Sequence, residues 1–118
     1  MATTVLIVDD HPAFRASARR LLESEGFEVA GEAADGTSAL RAVEQAPPDV
    51  VLLDIALPDL SGFEVAARLA DGPSKVVLTS SRAQGDLGPR LRESHAVGFI
   101  PKDRLTGDAI HALLEPAA

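Results

Sequence analysis

The sequence predicts a single α/β domain, with five parallel strands in one sheet and helices on both faces. Three observations carry that prediction. Short runs of Val, Leu and Ile recur along the chain, each followed by a stretch with helical spacing of its apolar residues. Gly and Pro mostly fall between these runs rather than inside them. The chain has 118 residues, 46% of them hydrophobic, which suits one core and is too short for two.

In order, Val5-Leu6-Ile7-Val8 is the first strand and runs into Asp9-Asp10. His11-Pro12 opens a helix, with Pro12 in the first turn, where a missing N–H costs nothing. Phe14, Ala18, Leu21 and Leu22 form its apolar face and Gly26 ends it. Phe27 to Ala33 reads as the second strand, and Asp35-Gly36 as a turn. A second helical face of Ala39, Leu40, Val43 and Ala46 stops at Pro47-Pro48.

Val50-Val51-Leu52-Leu53-Asp54 is the third strand, apolar on both faces and so central in the sheet. Pro58 to Gly62 is a loop, and Ser61 with Glu64 has the form of a capping box. The third helix is expected to carry Phe63, Ala66, Ala67 and Ala70 inward and to run to Gly72-Pro73. Lys75 to Thr79 is the fourth strand, ending in Thr79-Ser80-Ser81. From Arg82 to Ser94 the Gly and Pro content predicts a long loop and a short helix around Leu87 and Leu91. Ala96 to Ile100 is the fifth strand, ending in Pro101-Lys102. Thr106 caps a last helix with Ile110, Leu113 and Leu114 inward, and Pro116 begins a tail.

Composition excludes several classes. There is no cysteine, hence no disulfide framework and no thiolate metal site. A net charge of −7 disfavours binding to a nucleic-acid backbone, and the absence of Trp and Tyr disfavours base stacking. No apolar run is long enough to span a membrane. No basic-then-apolar leader is seen, so a cytoplasmic location is expected.

Right-handed crossovers favour the strand order 2-1-3-4-5, a flavodoxin-like three-layer sandwich whose switch point lies between the first and third strands. That order gathers Asp9, Asp10, Asp54, Thr79 and Lys102 at the C-terminal edge of the sheet. Clustered carboxylates repel unless a cation joins them, and hard oxygen donors suit Mg²⁺. An Asp carboxylate can attack phosphorus to give an aspartyl phosphate, which Mg²⁺, an ammonium such as Lys102 and a hydroxyl such as Thr79 would balance. Each residue also has a plainer reading. Asp54 starts a turn, Asp9-Asp10 cap a helix, Lys102 is a surface lysine and Thr79 a buried β-former. Those readings would all have to hold at four strand ends at once.

Four segments carry a family resemblance: Leu6 to Pro12, Val51 to Gly62, Leu78-Thr79-Ser80, and Gly98-Phe99-Ile100-Pro101-Lys102. Together they resemble the receiver domain of bacterial two-component response regulators, across essentially the whole chain. The Asp-Asp-His-Pro run looks most like the subclass that usually carries a C-terminal helix-turn-helix. The resemblance implies that Asp54 is the phosphoacceptor and that Asp10 binds Mg²⁺ directly, Asp9 largely through water, with the Ala56 carbonyl as a further ligand. It implies Thr79 as the switch hydroxyl, Lys102 as the phosphate-sensing lysine and Phe99 as the aromatic whose rotamer reports the state. Ser80 competes with Thr79: counting back from Lys102 slightly favours Ser80, but an extra residue is easily absorbed in the Gly- and Pro-rich loop after Arg82, so Thr79, at the end of the apolar run, is the expected switch hydroxyl.

The implied partner is a sensor histidine kinase or phosphotransfer protein, with homodimerisation on phosphorylation as a further option. No nucleic-acid or membrane contact by this chain is expected, nor catalysis beyond its own aspartyl phosphorylation and dephosphorylation. Three departures stand out. Asp103 follows Lys102 where many relatives have Pro, the Asp54-to-Thr79 connection is short, and the fourth helix looks weak, so that signalling is expected to leave by another surface. Two other classes compete. A phosphatase- or dehalogenase-like hydrolase would want a second carboxylate where Ala56 stands, and a cap domain. An unphosphorylated interaction module would be expected to lack the acidic pair or Lys102.

Overall fold

The computed structural model describes residues 2–81 and 88–115. In chain order the elements are β1 (Thr4–Val8), α1 (Pro12–Ser24), β2 (Glu28–Ala33), α2 (Gly36–Gln45), β3 (Val50–Asp54) and α3 (Gly62–Leu69). Then come β4 (Lys75–Ser80), α4 (Gly88–Glu93), β5 (Gly98–Pro101) and α5 (Gly107–Leu114). The strands form one parallel sheet in the expected order β2-β1-β3-β4-β5, which satisfies the crossover rule. The expected contribution of Leu87 to a helix and the tail from Pro116 lie outside the described residues.

Alternation along the strands divides the core into two layers. Leu6, Val8, Val51, Leu53 and Leu78 pack with Val43 of α2 and Val65 of α3 on one face. Val5, Ile7, Val50, Leu52 and Val77 pack with Leu22 of α1 and Ile110 of α5 on the other. Val50 to Leu53 are all 0% exposed, since β3 is covered on both faces and flanked by strands on both edges. Each such side chain stabilises the fold by roughly 1.5–3 kcal/mol relative to exposure. Asp54 is therefore carried at the end of a strand that is buried along its whole length.

Local chemistry sets the helix ends. The Asp35 carboxylate accepts from Ser38 N at 2.7 Å, and Ser61 Oγ from Glu64 N at 3.1 Å. Thr106 Oγ1 accepts from Ala109 N at 3.0 Å. The Glu64 carboxylate faces Arg68 Nη2 at 3.8 Å, one turn on. Gly26, with φ of 93°, turns the chain out of α1 at a conformation other residues resist.

Several boundaries differ from the sequence reading. Helix α3 stops at Leu69 and buries Val65, Ala66 and Leu69, while Ala67 and Ala70 are exposed. The larger side chains win the core because they remove more apolar area from water. Strand β4 continues through Ser80. Strand β5 begins at Gly98 and includes Pro101, whose missing N–H is tolerated because β5 is an edge strand with one side outside the ladder. The short α4 buries no residue.

Candidate functional site

The C-terminal ends of β1, β3 and β5 bring three carboxylates and one ammonium together. Asp9, just past β1, is 0% exposed. Its backbone N–H donates to the Ala33 carbonyl at 3.0 Å, and Arg15 Nη1 donates to its carbonyl at 2.6 Å, so the turn into α1 is held from both sides. Its Oδ1 accepts from His11 N at 2.8 Å. The His11 ring bridges the acidic pair, with Nδ1 3.1 Å from both Asp9 Oδ1 and Asp10 Oδ1. Asp10 itself is exposed.

Asp54 is 3% exposed at the end of β3, and its Oδ1 accepts from Ala56 N at 3.2 Å. Lys102 Nζ lies 2.7 Å from Asp9 Oδ2 as an ion pair and 3.4 Å from Asp54 Oδ2. Its ammonium also sits 4.6 Å from the Phe14 ring centroid. Burial pushes the Asp54 carboxyl above its ordinary range, and the Asp9 charge adds to this; the Ala56 N–H and Lys102 oppose it. For Lys102, burial works against the charge, but Asp9 and Asp54 outweigh it and hold the ammonium above the ordinary lysine range.

The loop after Asp54 is closed at its base. Ala56 bridges to Ser61, and Gly62 N donates to the Ile55 carbonyl at 2.8 Å. A Cβ on Gly62 would lie 2.6 Å from the Asp54 carbonyl oxygen, so only glycine lets α3 begin this close to β3. The tip is tied to α2 by Asp59. Its carboxylate accepts from Gly36 N at 2.8 Å, Thr37 N at 2.9 Å, Thr37 Oγ1 at 2.7 Å and Leu60 N at 2.8 Å. The Thr37 hydroxyl and these amides hold the Asp59 carboxyl well below the usual carboxylate range.

One ligand atom from each of Asp9, Asp10, His11 and Asp54 lies within 4.8 Å of the others. The donor set is mostly carboxylate oxygen, with one lysine against three acids. Asp9 Oδ2 is buried, and the Lys102 ammonium stands against it at 2.7 Å. Such a cluster fits a hard divalent cation.

A cavity of about 270 Å³ opens beside Asp54, with Ser61, Ser80, Ser81, Arg90 and Lys102 in its wall. Thr79 pairs in register with Asp54 but is 0% exposed, and its Oγ1 has no hydrogen-bond partner among the described residues. Ser80 faces the opposite side of the strand, as alternation requires, and reaches the cavity. Phe99 is half-buried against the α2/α3 layer and lines a separate cavity of about 290 Å³ between α4 and β5.

Residues 5–115 match the family described as the response regulator receiver domain. The chain belongs to that family. Among curated relatives, this receiver is 39% identical over 114 residues to the virulence-factor transcription regulator BvgA of Bordetella pertussis, covering 95% of this chain and 54% of that protein. It is 36% identical over 116 residues to the transcriptional regulatory protein NarL of Mycobacterium tuberculosis, covering 96% and 54%. The receiver thus spans about half the length of the curated relatives it matches. A solved signal receiver domain of NarL from M. tuberculosis superposes with a TM-score of 0.84 at 34% identity, covering 96% of this chain and 94% of that one.

Sequence reasoning missed several residues of this receiver's site. His11 had a signal, standing directly after the acidic pair. Arg15 lies one turn further along the same helix. Ser61 was read only as a cap, and Arg90 had no local signal, since it reaches the cavity from α4.

Proposed function

We infer that this receiver is a phosphorylation-driven switch whose phosphoacceptor is Asp54. The observation that carries the reading is Lys102, which joins the buried Asp54 to Asp9 and faces a cavity large enough for a phosphoryl group. The donor is a phosphohistidine on a sensor kinase or phosphotransfer protein. Its N–P bond breaks, the electron pair returns to the imidazole, and a new O–P bond forms at the Asp54 carboxylate. Attack requires the ionised carboxylate; Lys102 and the Ala56 N–H favour that form against the cost of burial. Asp9, Asp10, Asp54 and the Ala56 carbonyl are the residues that would hold Mg²⁺. When bound, the ion supplies positive charge against the phosphoryl oxygens.

Lys102 remains as the protein's own counter-charge to the product. The hydroxyl that follows the phosphoryl group is Ser80 in this reading, in place of Thr79. Support comes from Ser80 lining the Asp54 cavity while Thr79 is fully buried. Phe99 is the proposed reporter, and the cavity beside it leaves room for its ring to turn. No helix among the described residues is long and apolar enough to cross a membrane, and a cytoplasmic site of action is part of the proposal. The acidic balance favours a partner protein over direct DNA contact by these 118 residues. Homodimerisation on phosphorylation is part of the same proposal.

The test is incubation with acetyl phosphate and Mg²⁺, followed by intact-mass measurement. One phosphoryl group should appear, and Asp54→Asn should abolish it. Equal labelling of the variant would overturn the assignment.

A further inference from the structure

We propose that Arg90 of α4 is a second cationic partner for the phosphoryl group on Asp54. The inference rests on the phosphoacceptor reading above and adds a residue to it. Arg90 lines the same cavity as Asp54, Ser80 and Lys102, although it comes from a short helix that fully buries no residue and packs its half-buried Leu91 against the core.

Charge gives the first reason. Lys102 is already shared between Asp9 and Asp54. A phosphoryl group on Asp54 carries up to two negative charges. With a divalent cation bound and Lys102 in place, Asp9, Asp10 and the phosphoryl group still leave about one negative charge unbalanced. A guanidinium at the cavity wall supplies the missing unit. Its planar fork also matches phosphoryl oxygens better than a second lysine would.

The resting position of Arg90 gives the second reason. Its guanidinium lies over the Phe63 ring of α3, 4.2 Å from the centroid. Among the described residues it makes no ion pair. A half-exposed cation–π contact is a weak hold, and a charge-assisted bond to phosphoryl oxygen is stronger. The arginine therefore exchanges the ring for the phosphoryl group when the charge arrives. Held at the core by the half-buried Leu91 rather than by any fully buried residue, α4 follows. Phe63, half-buried at the start of α3, loses its cover in the same step. The exchange links the phosphoryl group to the α3–α4 surface by a path separate from Ser80 and Phe99.

Beryllofluoride with Mg²⁺ serves as the phosphoryl mimic, with binding followed by fluorine NMR and the Phe63 ring by proton–carbon NMR. Arg90→Gln should weaken beryllofluoride binding about five- to tenfold and abolish the ligand-induced shift of the Phe63 ring. Arg90→Lys should restore part of the affinity. Phe63→Leu frees the guanidinium without touching the cavity, and should tighten binding. Wild-type affinity in Arg90→Gln, or weaker binding in Phe63→Leu, would overturn the proposal while leaving Asp54 as phosphoacceptor. Failure of the unsubstituted receiver to bind beryllofluoride would overturn both readings.

Discussion

Replacing Lys102 with methionine tests the electrostatics of the site without any phosphodonor. Methionine keeps an unbranched side chain and removes the ammonium, together with its contact to the Phe14 ring. Asp9 at 0% exposure and Asp54 at 3% are then left facing each other without their shared cation. Breaking a fully buried pair by removing one partner costs about 3–5 kcal/mol, and an exposed pair is worth about 0–1 kcal/mol. The Lys102 side chain is 17% exposed, so the expected loss falls between, at about 2–3 kcal/mol. For a domain of this size that corresponds to a fall in Tm of about 8–12 °C.

The pH dependence has a definite sign. The Lys102 pKa is raised by folding, so its contribution is fully present below the unfolded lysine pKa and is lost only as pH rises through the higher folded value. Asp54 carries the same sign in a lower pH window. Its raised pKa means the folded state resists its ionisation, so stability falls as pH rises from the unfolded carboxylate pKa through the folded value. Removing Lys102 raises the Asp54 pKa further, and the gap between variant and parent should close as acidification protonates that carboxyl. Thermal unfolding by circular dichroism, in chelator across about pH 4 to 8, reads the Asp54 contribution and the gap between variant and parent, whereas the loss of the Lys102 charge lies above the ordinary lysine value of about 10.4. Added Mg²⁺ should recover much of the lost stability, since it binds the native acids. Equal Tm values in chelator, or a gap unchanged by pH, would refute the coupling of Lys102 to the two acids.

Other outcomes follow from the same geometry. Asp10→Ala should remove most Mg²⁺ affinity by calorimetry, and Asp9→Ala should weaken it less; the reverse ranking would exchange their roles. Ser80→Ala should blunt the beryllofluoride-induced amide shifts across β5, and Thr79→Ala should leave them while lowering Tm; the opposite pattern would return the switch to Thr79. Gly62→Ala should destabilise by about 1–3 kcal/mol, read by urea unfolding, because its Cβ would press on the Asp54 carbonyl oxygen at 2.6 Å. The 118-residue chain should give no salt-sensitive gel shift with DNA at physiological salt; a shift at micromolar protein would show a basic surface that its composition does not suggest.

Much of the architecture is legible in the chain because its signals are local and redundant. Val50 to Leu53 can only be a strand covered on both faces, and Asp54 must then stand at its end. The strand order follows from the handedness of crossovers rather than from any single residue. Asp9, Asp10 and Lys102 are legible for the same reason, each following directly on an apolar run. Helix α3 was harder, since Ala67 fits either face equally well and only packing assigns the inner one to Val65 and Leu69.

The amino-acid sequence by itself determined the five strands, their order and the acids and lysine that close them. Tertiary structure alone decided which of Thr79 and Ser80 faces the cavity, because that depends on the last pleat of β4. It also decided that Asp59 ties its loop to α2 and that Arg90 reaches across from α4. Those contacts join residues far apart in the chain through loops whose paths no periodic pattern encodes. A strand announces itself in five consecutive residues, whereas a contact between two surfaces exists only after both have been packed.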